Sequence, residues 1–310
     1  MAGKGPILLT GSTGQVGSEI LPLLASLGEV VAPTRAELDL SDAASIREVM
    51  RRVQPRWVVN PAAYTAVDKA ESDVDAAFAI NRDAPAVLGE EAARIGAPVL
   101  HFSTDYVFAG DGERPWREDD PTGPLGVYGA SKLAGEQRLA ASGAAHLMFR
   151  TSWVYGTQGK NFLLTILRLA QDREEMKIVG DQNGAPTWSR NLARLTAHTI
   201  VQCEAYAAEH GVSLEEAVRP VQGIYHACDA GFTTWFGFAQ EFVRLAQVGR
   251  PEQRFARLTP IATTEYPTPA KRPPNSRMDC TRLTQRLGFT MPPWQQSTAE
   301  VMAEVLAAQG

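Results

Sequence analysis

The sequence predicts an α/β fold: a doubly wound parallel sheet followed by a smaller C-terminal α/β region. Three observations carry that expectation. Short all-apolar runs alternate with longer amphipathic stretches through the first half of the 310 residues. The apolar runs lack the polar alternation of a half-exposed strand, so they read as strands covered on both faces. The first run ends in a loop bearing Gly11, Gly14 and Gly17, which opens a helical pattern.

Taken in order, "PILLT" (6–10) is the first strand and residues 14–27 the first helix. "EVVAP" (29–33) is a second strand, and "DAASIREVMRRV" a helix capped by Ser41 or Asp42. "WVVN" (57–60) is a third strand. Helix follows from 73 to 95, with a kink expected at Pro85. "PVLHFST" (98–104) is a fourth strand, the Tyr128 region opens another helix, and "HLMFRTS" (146–152) is a fifth strand. Beyond 152 the rhythm loosens. Helices are expected at 161–172, 190–209, 234–246 and over "STAEVMAEVLAAQ", with a strand at "GIYHACD" (223–229). The expected division is 1–155 as a nucleotide-binding sheet domain to which part of 190–230 returns, and 156–310 as mainly a substrate-binding domain interleaved with it.

Composition is that of an ordinary globular protein, 44% hydrophobic and 21% charged. The net charge of −5 gives no reason to expect a nucleic-acid surface, although backbone dipoles can still hold a small anion. The N-terminal stretch shows no signal-type apolar region and no run approaches a membrane span, so the expectation is a soluble, cytoplasmic protein with no membrane partner. Cys203, Cys228 and Cys280 are far apart in sequence and are expected as free thiols that form no redox pair. A homodimer is the base-rate expectation for assembly.

Strand, glycine turn and helix in that order open a Rossmann-type dinucleotide fold. The candidate phosphate cradle is Gly11, Ser12, Thr13, Gly14, Gln15, Val16 and Gly17. Its G-x-x-G-x-x-G spacing differs from the more usual G-x-G-x-x-G. No carboxylate ends the second strand to hold a ribose 2′-hydroxyl; Thr34 and Arg35 follow it instead. That pattern favours NADPH, with NADH as the alternative donor. Asp39 and Leu40 are candidates to meet the adenine, although Asp39 reads equally well as a helix-entry cap.

"YGASK" places Tyr128 and Lys132 one helical turn apart, a pair that chance supplies in about one such chain in seven. Beside a nicotinamide cofactor the pair has a chemical reading. A carbonyl that receives hydride needs a proton, and a lysine ammonium, together with the positive nicotinamide of the oxidised cofactor, would favour the phenolate and lower the phenol's pKa. Thr104 at the end of the fourth strand is the candidate to polarise the carbonyl, with Ser103 as its competitor on the opposite face. His101 reads as a satisfied core residue, and no histidine shows metal-ligand spacing, so no metal site is expected.

These residues resemble the extended short-chain dehydrogenase/reductases. The resemblance narrows with "GQVG", "NPAAYTAVDKAE" (60–71), "STDYVFAG" (103–110), "YGASKLAGE" (128–136), "RTSWVYG" (150–156), "DQNGAPTW" (181–188) and "RPPNSRMD" (272–279). Together they are similar to the dTDP-4-dehydrorhamnose reductase family. That resemblance implies NAD(P)H-dependent reduction of a 4-keto sugar nucleotide, with Thr104, Tyr128 and Lys132 as the catalytic residues. It places Ala62, Ala63 and Tyr64 along the cofactor, and Asp105, Trp153, Gln182, Arg272 and Asn275 around the substrate. Some members are reported to hold magnesium at a dimer contact, where Glu19 occupies the matching place. Lys271, Arg272 and Arg277 cluster as cations suited to a diphosphate. Trp153 reads either as an indole face for a deoxysugar or as core packing. The loop 109–126 is too long and too polar for a plain connector and is expected to rim the cleft. A non-catalytic nucleotide-binding subunit and a nucleotide-sugar epimerase or dehydratase remain as alternatives. The intact Thr104, Tyr128 and Lys132 weigh against the first, and Tyr106 in place of an acidic residue after Asp105 weighs against the second.

Overall fold

The structure is a computed structural model that describes residues 5–308. The expected N-terminal reading of residues 1–4 and the last residue of the final expected helix, Gln309, lie outside the described residues. The first half runs β1 (Ile7–Leu9), α1 (Gln15–Ala25), β2 (Val30–Val31), α2 (Ala43–Val53) and β3 (Trp57–Asn60). Two short helices follow, α3 (Val67–Ala70) and α4 (Val74–Phe78), then a π-helical turn over Ala79–Asp83 that leads into α5 (Ala84–Ile95). β4 (Val99–Thr104), α6 (Val127–Ala141) and β5 (His146–Thr151) complete it. The remainder holds β6 (Val154–Tyr155), α7 (Phe162–Asp172), β7 (Glu175–Val179), β8 (Asn183–Gly184) and β9 (Thr187–Trp188). Next come α8 (Ser189–His210), α9 (Leu214–Val218), β10 (Gly223–His226), β11 (Thr233–Thr234), α10 (Trp235–Gly249), β12 (Arg257–Ile261), α11 (Thr281–Leu287) and α12 (Trp294–Ala308).

Six strands form one parallel sheet in the order β10-β5-β4-β3-β1-β2. β1 lies between β2 and β3, so the chain reverses its winding there and a crevice opens above the carboxyl ends of the strands. The central runs are buried, Ile7 to Leu9, Trp57 to Val59 and Leu100 all 0% exposed, whereas Val30 and Val31 of the edge strand β2 are only half-buried. One face of the sheet packs against α1 and α8, through Ile20, Leu24, Leu192 and Leu195. The other packs against α2, α5 and α6, through Ile46, Val49, Leu88 and Leu139. Register then does the positioning: Thr104 stands opposite Thr151 and Asn60 opposite His101, at the end of the sheet where α1 and α6 begin.

A second core joins α7, α10 and α12 around Leu163, Phe238, Phe242 and Val301. α8 and β10 belong to the first core even though they come late in the chain, because β10 pairs with β5 and α8 lies on α1. The Asp42 carboxylate accepts from Ala44 N–H, which settles the cap of α2. The kink expected at Pro85 falls earlier. Pro85 sits in the first turn of α5, where its missing N–H costs nothing, and the irregularity is the π-helical turn before it. Only Val30 and Val31 of the expected second strand pair with β1. The cysteines also differ from expectation. All three are free, but Cys228 and Cys280, 52 residues apart, are neighbours, with Cys228 N–H 3.4 Å from Cys280 Sγ. Among the described residues no helix is long and apolar enough to cross a membrane.

Candidate active site

The glycine loop turns tightly over the end of β1. A Cβ on Gly17 would stand 2.1 Å from the Gly11 carbonyl oxygen, so only glycine lets α1 start this close to the strand. Gly14 is the N-cap and supplies no side-chain cap, which leaves the first-turn N–H groups of α1 free for an anion. Ser12 and Thr13 form the crest of the loop, Gln15 is half-buried, and Val16 packs on the core. Ala62 lies against Gly11, so the segment Ala62-Ala63-Tyr64 borders the loop. This cradle fits a dinucleotide diphosphate.

Around the second strand, Thr34 closes a turn with both its N–H and its hydroxyl on Glu37 at 2.8 Å. Arg35 is exposed beside it. Asp39 accepts from the N–H and hydroxyl of Ser41 at 2.8 and 2.7 Å, a turn ahead of α2 whose cap is Asp42, while Leu40 is half-buried.

α6 carries the centre of the site, and two contacts fix its placement. A Cβ on Gly129 would come within 2.1 Å of the Tyr106 carbonyl oxygen, so glycine lets the helix lie directly on the turn after β4. The Glu71 carboxylate accepts from Val127 N–H at 2.8 Å and caps α6 from a distant segment. Tyr128 is thereby brought beside Thr104 and edge-on to Tyr106, with ring centroids 5.4 Å apart. The Thr104 hydroxyl donates to Asp105 at 3.0 Å and accepts from Tyr106 N–H. Ser103 is buried on the other face of β4, with no hydrogen-bond partner for its hydroxyl.

The electrostatics correct one expectation. Burial pushes the Tyr128 phenol up to about 12; the Thr104 hydroxyl pulls it down and the Asp105 charge adds to the rise. Of the two charges expected to lower it, the Lys132 ammonium contributes nothing here. It is 2% exposed and turns away into β4, donating to the Phe102 carbonyl at 2.6 Å and lying 3.2 Å from His101 Nε2. Burial draws Lys132 down to about 8 and the Glu136 charge opposes that fall. Asp105 is pushed up to about 6 by burial, against hydrogen bonds from Ser276 and Thr104.

The substrate candidates divide. Trp153 adopts φ +48°, a strained left-handed conformation for an indole side chain, and stacks on Trp235 with centroids 3.8 Å apart. Gln182 is buried, accepting from Trp235 Nε1 at 3.1 Å and donating to Thr263 at 3.1 Å, so it holds the partner of Trp153. Asn275 spends its amide on the loop expected to rim the cleft, donating to the carbonyls of Gly112 and Arg114 at 3.2 and 2.9 Å. The expected cation cluster is split up: Arg272 pairs with Asp68 at 2.8 Å, and Arg277 donates to Asn275 and to the Glu113 carbonyl. Glu19, the matching place for magnesium, is bound by Arg190 at 2.9 Å, and the same guanidinium pairs with Glu304. A cation of the chain's own already holds that carboxylate.

Sequence reasoning missed three residues. Asn81, in the π-helical turn, donates to Ser131 on α6 and to the Tyr64 carbonyl, and accepts from Tyr64 N–H at 2.8 Å. It thus clamps the loop-bordering segment to the Tyr128 helix. Glu71 and Trp235 act across 56 and 53 residues respectively. Only the asparagine inside an otherwise helical pattern gave a local signal.

The family model for the RmlD substrate binding domain matches residues 5–307. The dTDP-4-dehydrorhamnose reductase of Burkholderia thailandensis is 44% identical over 97% of this chain and 99% of its own. That of Escherichia coli K12 is 42% identical over 96% and 97%. Among solved structures, a dTDP-4-dehydrorhamnose reductase of Clostridium acetobutylicum superposes with a TM-score of 0.85 at 33% identity, covering 97% of this chain and 99% of that one. The Bacillus anthracis enzyme in complex with NADP also gives 0.85, at 29% identity over 97% and 100%. With the parallel sheet, the glycine cradle and the Thr104–Tyr128 corner in place, these matches show that the chain belongs to the dTDP-4-dehydrorhamnose reductase family.

Proposed function

We propose that this protein reduces the 4-keto group of dTDP-4-dehydro-L-rhamnose to give dTDP-L-rhamnose, with NADPH as the preferred hydride donor. One observation carries the reading: Thr104 and Tyr128 meet at the carboxyl end of β4, on the crevice that the glycine loop borders. Relatives named for that reaction match nearly the whole chain, which supports the choice of substrate. NADPH is favoured by the exposed Arg35 after β2 and by the NADP bound in the Bacillus anthracis relative.

Bound NADPH supplies the hydride that reaches the keto carbon. The protein's own share is the proton and the orientation. Burial keeps the Tyr128 phenol protonated at neutral pH, so it is a ready donor. The Thr104 hydroxyl, which donates to Asp105, swings its proton to the keto oxygen as charge develops there. Lys132 has three N–H donors and commits two of them to β4, which leaves one for a ribose hydroxyl. The first-turn N–H groups of α1 hold the cofactor diphosphate. The Trp153–Trp235 stack forms an apolar wall for the deoxysugar, and residues 156–308 supply most of the substrate side.

The test follows NADPH absorbance with purified dTDP-4-dehydro-L-rhamnose. Tyr128→Phe should lower kcat by about 10²–10⁴-fold, the usual worth of a general acid. Undiminished turnover would remove Tyr128 as the acid, and no oxidation by the unaltered protein would remove the substrate. For the cofactor, kcat/KM should favour NADPH, and Arg35→Ala should cut that preference roughly tenfold, the worth of one charge-assisted contact. An intrinsic preference for NADH would overturn the assignment.

A further inference from the structure

Lys132 is the one buried lysine among the described residues, and the groups around it form a line through the sheet. Its Nζ lies 3.2 Å from His101 Nε2. Nδ1 of the same ring lies 3.0 Å from the Asn60 NH₂, and the Asn60 oxygen accepts from the Thr10 hydroxyl at 2.6 Å. Thr10, Asn60, His101 and Lys132 are 1%, 1%, 0% and 2% exposed, so no bulk water competes along the line. It runs from β1, where the glycine loop begins, across β3 and β4 to the helix that carries Tyr128.

Counting donors shows what the line does. An ammonium only donates, so beside a charged Lys132 the Nε2 of His101 must accept and the ring proton must sit on Nδ1. Asn60 must then turn its oxygen to His101 and its NH₂ to Thr10. A neutral Lys132 reverses every step: Nε2–H donates to Nζ, the Asn60 NH₂ donates to Nδ1, and the Thr10 hydroxyl donates to the Asn60 oxygen, which is how the amide is set here, so the charged state requires the amide to flip. The charge on Lys132 is therefore tied to one tautomer and one amide orientation. Imidazolium is excluded from both states, because burial and the Lys132 charge hold His101 well below its ordinary range.

The other groups that face Lys132 are already accounted for. Glu136, one turn further along α6, is held by Arg150 at 2.9 and 2.7 Å. Tyr128 is one turn back, and β4 adds the Phe102 carbonyl at 2.6 Å. Of the neutral side chains in the group, Tyr128 is the proposed acid, so His101 is the one that can be exchanged without changing a charge or removing that acid.

We propose that His101 is a positioning residue: its neutral imidazole is the acceptor that holds the Lys132 ammonium against β4, and so fixes where that charge stands relative to Tyr128 and the cofactor ribose. The catalytic consequence rests on the proposed reductase function; the positioning itself does not.

The experiment uses protein labelled with ¹³C-lysine, which gives six Cε signals, with Lys132 assigned by its loss in Lys132→Met. His101→Phe fills the ring's volume without an acceptor, and His101→Gln returns one. His101→Phe should lower the Lys132 titration midpoint by at least about one unit, a tenfold loss of proton affinity. His101→Gln should recover most of it. In the NADPH assay His101→Phe should lower kcat with little change in the sugar-nucleotide KM, and should move the alkaline limb of the pH profile by the same amount as the Lys132 midpoint. An unchanged Lys132 titration in folded His101→Phe overturns the proposal; should that variant not fold, the smaller His101→Leu carries the same comparison. If Lys132 moves as expected but no variant, nor the parent, oxidises NADPH, the positioning stands and the reductase assignment falls.

Discussion

The two walls of the crevice are built differently. On the proposed cofactor side, backbone lies on backbone: Gly17 against the Gly11 carbonyl, Gly129 against the Tyr106 carbonyl. On the proposed substrate side, side chains bridge distant segments: Gln182 to Trp235, and Asn275 to the carbonyls of Gly112 and Arg114. The first kind of wall tolerates almost no added atom, because a peptide oxygen cannot step aside. The second can lose a bridge and keep its shape in part. A cofactor is a fixed object shared by many reactions and suits a rigid cradle, whereas specificity for one sugar can be set by replaceable side chains.

Breaking the rigid wall should have the largest effect. Gly129→Ala drives a methyl into the Tyr106 carbonyl and should cost roughly 3 kcal/mol or more, read as a lower denaturant midpoint with weakened NADPH binding. Wild-type stability in that variant would show that α6 can shift freely. Next comes the corner where the walls meet. Asp105 is raised to about 6 in the folded protein from about 3.8, so the folded state binds the extra proton. Its contribution is thus fully present below about 3.8 and is lost as pH rises through about 6, because stability falls wherever the native state holds more protons. Asp105→Asn should remove a loss of roughly 2 kcal/mol between pH 4 and 7, seen as a flatter Tm against pH than in the parent. Parallel curves would place the proton elsewhere. The smallest effect belongs to the bridged wall. Asn275→Ala strands two loop carbonyls that can still reach water, and should cost about 1 kcal/mol while raising the sugar-nucleotide KM several-fold with the cofactor KM unmoved. A change in both KM values would erase the distinction between the walls.

The same contrast explains what could be read in advance. The proposed cofactor wall is local: Gly11 to Gly17 fall within seven residues, and Tyr128 and Lys132 share one turn, so spacing together with the strand–turn–helix order and the strand-end Thr104 exposed them. Strand identity was legible for the same reason, since Ile7 to Leu9 and Trp57 to Val59 are apolar without interruption. The direction of Lys132 was not legible. Spacing placed it near Tyr128, but the receptors for its ammonium, Phe102 and His101, sit 30 and 31 residues away on a neighbouring strand. Glu71, Asn81 and Trp235 stayed hidden because each acts through a partner that only the folded chain brings close. The neighbouring thiols of Cys228 and Cys280 were invisible on the same ground.

The stitching of the cleft loop also sets an order of events. Trp116 N–H donates to Arg277, Asp279 N–H returns to Trp116, and the Trp116 indole reaches Asn275 across 159 residues. Most of the sheet and the glycine cradle use residues before 227, but this seam has to wait for residues 275–279. The cradle can form from local contacts, whereas the seam must close a loop of 159 residues, and loop entropy sets it later in the order of closure.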